Sequence, residues 1–146
     1  MTNWAQVERR ELVEALRRAG PEAATLCAGW TARDLAAHVV VRERRPDAAV
    51  GIVVPLLAGH AERVRASAAA LDWDELVGLV ASGPPPALRP VDRAMNLVEM
   101  HVHCEDVRRG VAGWLPRSLP TELDSILWRR AGQMANFERV ILETTG

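Results

Sequence analysis

Glu99 and His103 stand four residues apart in NLVEMHVHCEDVRRG, residues 96–110. On an α-helix that spacing brings two side chains to about 5–6 Å at Cβ, near enough for a carboxylate and an imidazole to reach one ion. The same spacing also suits a solvated ion pair. His101 lies about 160° around the helix from His103, so only one histidine of the HVH pair can turn toward Glu99. A catalytic divalent-metal site wants a third protein ligand and an open position for water or substrate. His38, in CAGWTARDLAAHVVVRERRPD at residues 27–47, is the natural third, because helix bundles build metal sites from facing side chains on different helices. Taken singly, a helical histidine is equally at home as a partly buried side chain.

The neighbours of these residues suggest further roles. Arg42 follows His38 by one helical turn and Arg45 by about two, which would let both guanidinium groups line the approach to the ion and grip a substrate carboxylate. Asp106, three residues after His103, can orient its imidazole as an acceptor behind the ligand, or pair with a nearby arginine. Arg108 and Arg109 suit the helix dipole at a carboxyl terminus. Cys104 sits about 100° from His103, which makes a buried structural thiol its ordinary role. Cys27 falls in a loop, and nothing local depresses its pKa. The tryptophans at 4, 30, 73, 114 and 128 read as core and helix-boundary packing, with a pocket wall near Trp30 left open.

Helices must position all of this. Residues 4–18 gather Val7, Leu12, Val13 and Leu16 on one face and put Glu8, Arg9 and Arg10 largely elsewhere, and Gly20-Pro21 ends the pattern. Thr31 is a strong N-cap with Asp34 three residues on and Trp30 and Leu35 at hydrophobic-staple spacing, so a second helix runs from 31 to about Arg45, where Pro46 interrupts it. Further helix over 47–71 should break near Pro55 and Gly59. DWDE at 72–75 caps a short helix to about Ala81, and SGPPP stops it. Pro90 opens a long helix through Arg109, closed by Gly110, and Pro120 opens the last one through about Leu142. The predicted fold class is all-α: four main helices in one domain, 1–146, with short helices between the second and third main ones.

A chain of 146 residues with 49% hydrophobic content can bury one sizeable core. Its formal net charge of -1 gives no global field toward nucleic acid or an anionic membrane. All 18 basic residues are arginine, the usage of a GC-rich, bacterial coding sequence. The amino terminus lacks the apolar run of a secretory signal, and AAVGIVVPLLAG is too short to span a bilayer, so a cytoplasmic protein is expected. In that setting the two cysteines are free thiols.

GWTARDLAAHVVVRERRPDA together with NLVEMHVHCEDVRR resembles the metal-binding branch of the DinB-like superfamily that includes mycothiol-dependent maleylpyruvate isomerases. The resemblance implies a four-helix bundle in which the positions matching the family's GWT..DL..H and E...H motifs, His38, Glu99 and His103, hold one divalent metal, zinc by preference. It implies mycothiol as a thiol cosubstrate whose thiolate attacks an electrophile. Addition to a cis unsaturated diacid followed by rotation and elimination is isomerisation, and stopping at the addition or displacement is S-transfer. Family relatives often continue into a smaller α/β domain past the point where this sequence ends, and a non-catalytic metal-binding bundle or a homodimer stays open. A rival reading takes LCAGWTARDLAAHVVVRERR as the turn and second helix of a helix-turn-helix DNA reader; the balanced charge, the long first connection and the Glu99/His103 pair speak against it.

Overall fold

The computed structural model describes residues 2–145, with side chains described for 2–49, 54–87 and 96–133. Seven α-helices follow one another, and among the described residues there is no strand beyond an isolated bridge between Ala24 and Thr31. The expected all-α class is the observed one. No described helix is long and apolar enough to cross a membrane.

Helix α1 spans Trp4–Ala19 behind the Asn3 cap, and α2 spans Ala32–Arg44. The start of α2 is fixed locally: the Thr31 hydroxyl accepts from the Asp34 amide, and the Asp34 carboxylate accepts from the Thr31 amide, a complete capping box. Helix α3 (Pro46–Val53) and a 3-10 turn at Pro55–Leu57 lead into α4 (Ala58–Ala69). The helix is interrupted at Val54, beside the expected break at Pro55, and Gly59 lies inside the first turn of α4, where nothing requires its special conformational freedom. Asp72 caps α5 (Trp73–Ser82) by accepting from the amides of Asp74 and Glu75. The proline-rich stop then gives way to α6, Arg89–Arg109.

The structure divides into two compact units, 1–114 and 115–146. In the first, α1 packs chiefly on α6 and α2 on α4 and α5. Their shared core is built from Leu12 and Leu16 of α1, Leu35 and Val39 of α2, Leu76 and Val80 of α5, and Met100 and Val107 of α6. Removing such a buried leucine side chain costs about 2–5 kcal/mol, so this core is what holds α2 and α6 in register. The second unit contains α7, a single helix over Thr121–Thr145 with Glu122 and Asp124 in its first turn, where acidic groups favour the dipole.

One sequence expectation fails in α1. Glu8 and Arg9, assigned outside the apolar face, are only 1% and 2% exposed. Their burial is permitted because each meets a polar partner from another helix: Arg9 donates to both carboxylate oxygens of Glu43 on α2 and to the carbonyl of Val80, and Glu8 lies 2.8 Å from His101 Nδ1.

Candidate metal centre

Helices α2 and α6 bring His38, Glu99 and His103 together, and their potential ligand atoms all lie within 4.8 Å of one another. The two imidazoles meet edge to face with centroids 5.4 Å apart, and the Trp30 ring leans on His38 at 5.1 Å. Burial, reinforced by His103 and the nearby guanidinium groups, pushes the His38 pKa down to about 4. Its ring is therefore neutral at pH 7 and keeps a lone pair to offer.

His103 is oriented from behind. Its Nδ1 lies 3.2 Å from Asp106 Oδ2, a carboxylate oxygen that can accept the Nδ1 hydrogen and leave Nε2 turned toward the cluster. Nε2 is buried, makes no hydrogen bond, and stands 3.4 Å from Glu99 Oε2. A buried nitrogen with nothing to accept from is costly in a protein interior. A cation shared with His38 and Glu99 would satisfy it. Interaction with His103 is the largest influence holding Glu99 below the usual carboxylate range; Arg42 and His38 add to it against the cost of burial. Two imidazoles and one carboxylate are the donor set of a divalent-ion site with an open position.

Arg42 lies at this cluster in a different role from the one its spacing suggested. Its Nη2 is 3.4 Å from Glu99 Oε1, and its Nη1 donates to Asn96 Oδ1 at 3.0 Å. The Asn96 amide donates in turn to Glu43 Oε1 at 3.1 Å, the carboxylate that Arg9 grips. A polar chain, buried at its α1 end, thus runs from α1 through α2 and α6 to the outer oxygen of Glu99. Arg45 is not brought to the cluster: it caps the end of α2 and pairs with Asp47 on the exposed surface. His101 faces Glu8 and takes no part, as the helical geometry requires. Cys104 is fully buried.

Cys27 is the residue that spacing could not place. Its thiol donates to Asp106 Oδ2 at 3.3 Å, so Cys27, Asp106 and His103 form a second close cluster behind the first. Burial, then Asp106, pushes the thiol up to about 11, so it is protonated at neutral pH. The loop reaches this place because the Leu26 amide donates to the Asp106 carbonyl and Ala24 lies against Gly110. A Cβ at residue 110 would stand 2.3 Å from the Ala24 oxygen. Gly110, read as a helix stop, is also the glycine that lets the loop dock.

Residues 4–53 match the family described as mycothiol maleylpyruvate isomerase N-terminal domain. This match bears out the resemblance read from the sequence. It covers α1 to α3 and so includes His38 and the GWT block, while Glu99 and His103 lie beyond it. Among curated proteins and solved structures none matches the chain.

Proposed function

We propose that the protein binds one divalent metal ion, zinc by preference, through His38, Glu99 and His103, and uses it in a mycothiol-dependent isomerase or S-transferase reaction. The single observation that carries this reading is the convergence of His38, Glu99 and His103, with the buried Nε2 of His103 turned toward the other two and making no close hydrogen bond. Such an ion would supply the positive charge that keeps a small-molecule thiol as its thiolate at neutral pH. The chain's own residues do the rest. His38 stays neutral through burial, Asp106 fixes the tautomer of His103, and Arg42 holds the outer oxygen of Glu99 so that the inner one faces the imidazoles. Trp30 leans on His38 and limits water on that side.

The DNA-reader alternative loses its arginines. Arg42 is engaged with Asn96 and Glu99, Arg44 with Ser82 and the Gly83 carbonyl, and Arg45 with Asp47. A helix that spends its basic side chains inside its own unit has few left for phosphates.

Metal analysis of the purified protein tests the first half: about one ion per chain is expected for a three-ligand site. His103→Ala should abolish retention, whereas His101→Ala should lower stability, by removing a partner of Glu8, and keep the metal. Equal metal loss in both variants, with both folded, rejects the ligand assignment. Cobalt substitution tests the second half. Added mycothiol should produce a sulfur-to-cobalt band in the near ultraviolet and release a proton; a fully loaded protein with no such band rejects thiol chemistry.

A further inference from the structure

The two histidines of the cluster come from different helices, α2 and α6, and one short turn touches the surroundings of both. In Cys27-Ala28-Gly29-Trp30 the Trp30 amide donates to the Cys27 carbonyl at 2.9 Å and closes a four-residue turn. At its first residue the Cys27 thiol donates at 3.3 Å to Asp106 Oδ2, the same oxygen that lies 3.2 Å from His103 Nδ1. At its last residue the Trp30 ring leans on His38, with centroids 5.1 Å apart. The turn therefore reaches behind one imidazole with a thiol and alongside the other with an indole.

Further contacts stiffen it. The Thr25 hydroxyl lies 2.9 Å from the Trp30 carbonyl and 3.3 Å from the Cys27 carbonyl, so a single side chain spans both ends. The Leu26 amide donates to the Asp106 carbonyl at 3.1 Å, so consecutive residues of the loop hold Asp106 by its main chain and by its side chain. Gly29, third in the turn, has a φ of +79°, in the left-handed region that glycine enters freely. A Cβ at 29 would meet nothing within 4 Å, so the backbone conformation alone calls for glycine there. A thiol is a weak donor and a cysteine of purely structural use packs as a small hydrophobe. This one instead faces a carboxylate oxygen that also faces a candidate ligand. Without the thiol, that carboxylate loses one of the donors that hold it against His103.

We infer that the 27–30 turn is a clasp that sets His38 and His103 relative to each other, and that Cys27 is a positioning residue for His103, acting through Asp106. Its consequence for metal rests on the ligand assignment proposed above. The clasp arranges two of the three ligands before an ion arrives, and an ion that fixes both imidazoles holds the clasp shut in return, because such coupling is reciprocal.

The imidazole nitrogens, followed by NMR in metal-free protein, report the clasp without any ion. In the parent, His103 should be protonated at Nδ1. Cys27→Ala should move it toward a mixture of tautomers, Cys27→Ser should keep the parental pattern because its hydroxyl restores a donor, and His101 should respond to neither. Gly29→Val should shift the His38 and His103 signals together, although a Cβ at 29 reaches neither ring, and Gly29→Asn, which tolerates the left-handed region, should restore both. Should Gly29→Val not fold, the Cys27 pair carries the test by itself. Zinc affinity, measured by competition with a chelator, should fall about tenfold in Cys27→Ala, the lower end of the range for groups behind a metal ligand, and stay near the parental value in Cys27→Ser. Asp72→Ala, which removes the cap of α5, is the control for lost stability alone and should keep its zinc. Zinc loading should also slow alkylation of Cys27, the same coupling read from the other end. An unchanged His103 signal in Cys27→Ala overturns the inference, and so does a zinc affinity, in protein that binds zinc, that falls equally in Cys27→Ala and Asp72→Ala or in neither. A parent that binds no zinc while His103 still responds to Cys27→Ala rejects the metal reading and leaves the clasp standing; tight zinc binding indifferent to Cys27 does the reverse.

Discussion

The two flanks of the His38, Glu99 and His103 cluster are built on opposite principles. Toward α1 the flank is a chain of polar groups, buried at Arg9, Glu43 and Asn96 and part-buried at Arg42, each hydrogen-bonded to the next and ending on Glu99. Toward α4 it is an open, mostly apolar pocket whose polar residues, Arg65, Asp34 and Glu62, neutralise one another at the edge. Both flanks contain arginine against carboxylate. They differ in burial at the ends farthest from the cluster: the side chains of Arg9 and Glu43 are each 2% exposed and that of Glu62 is 61% exposed, whereas Arg42 and Arg65 are both part-buried.

That contrast is most readily broken from the inside. Arg9→Ala leaves Glu43 buried without its main partner, and losing one half of a buried pair costs about 3–5 kcal/mol. Urea denaturation should show this loss, while Arg65→Ala on the open side should cost no more than about 1 kcal/mol. Equal costs would mean that the two flanks are energetically alike. Next in size is Gly110→Ala, which drives a methyl group into the Ala24 carbonyl; overpacking of this kind costs about 1–3 kcal/mol. Because the displaced loop carries Cys27, a thiol titration should show faster labelling of that cysteine in the variant, and unchanged labelling would mean that the loop does not depend on this contact.

Smaller again is the cap that anchors the open flank. Thr31→Ala should cost about 1 kcal/mol by thermal or chemical unfolding. Asp34 adds a pH signature. Its folded-state pKa lies below its unfolded value, so its contribution is complete above the unfolded pKa and is lost as the pH falls through the folded one. Asp34→Asn should therefore flatten the acid side of the stability profile and leave its alkaline side alone. The smallest effect belongs to Arg45→Ala, which removes only an exposed pairing with Asp47. Metal content and denaturation midpoint should both stay at parental values, and a loss of metal would return Arg45 to the site.

Local chemistry made much of this legible in advance. Thr31 and Asp34 cap α2 and Asp72 caps α5 because these signals act within a single helical turn and need no distant partner. The i, i+4 geometry of Glu99 and His103, and the exclusion of His101 from their face, are properties of any α-helix. The resemblance supplied His38 as their companion, since spacing alone allowed that pairing without requiring it.

What the sequence by itself determined, then, is the helices, their ends and the residues able to share an ion. Only the tertiary structure decided which charges are buried and what each one faces. Arg9 finds Glu43 at a separation of 34 residues, Arg42 finds Asn96 at 54, Arg65 finds Asp34 at 31 and Cys27 finds Asp106 at 79. A charged side chain on a helix reads as solvated unless a partner is known, because burying it alone is prohibitive and burying it paired is not. Whether such a partner arrives depends on how α1, α2, α4 and α6 pack, and no pattern within one helix encodes that.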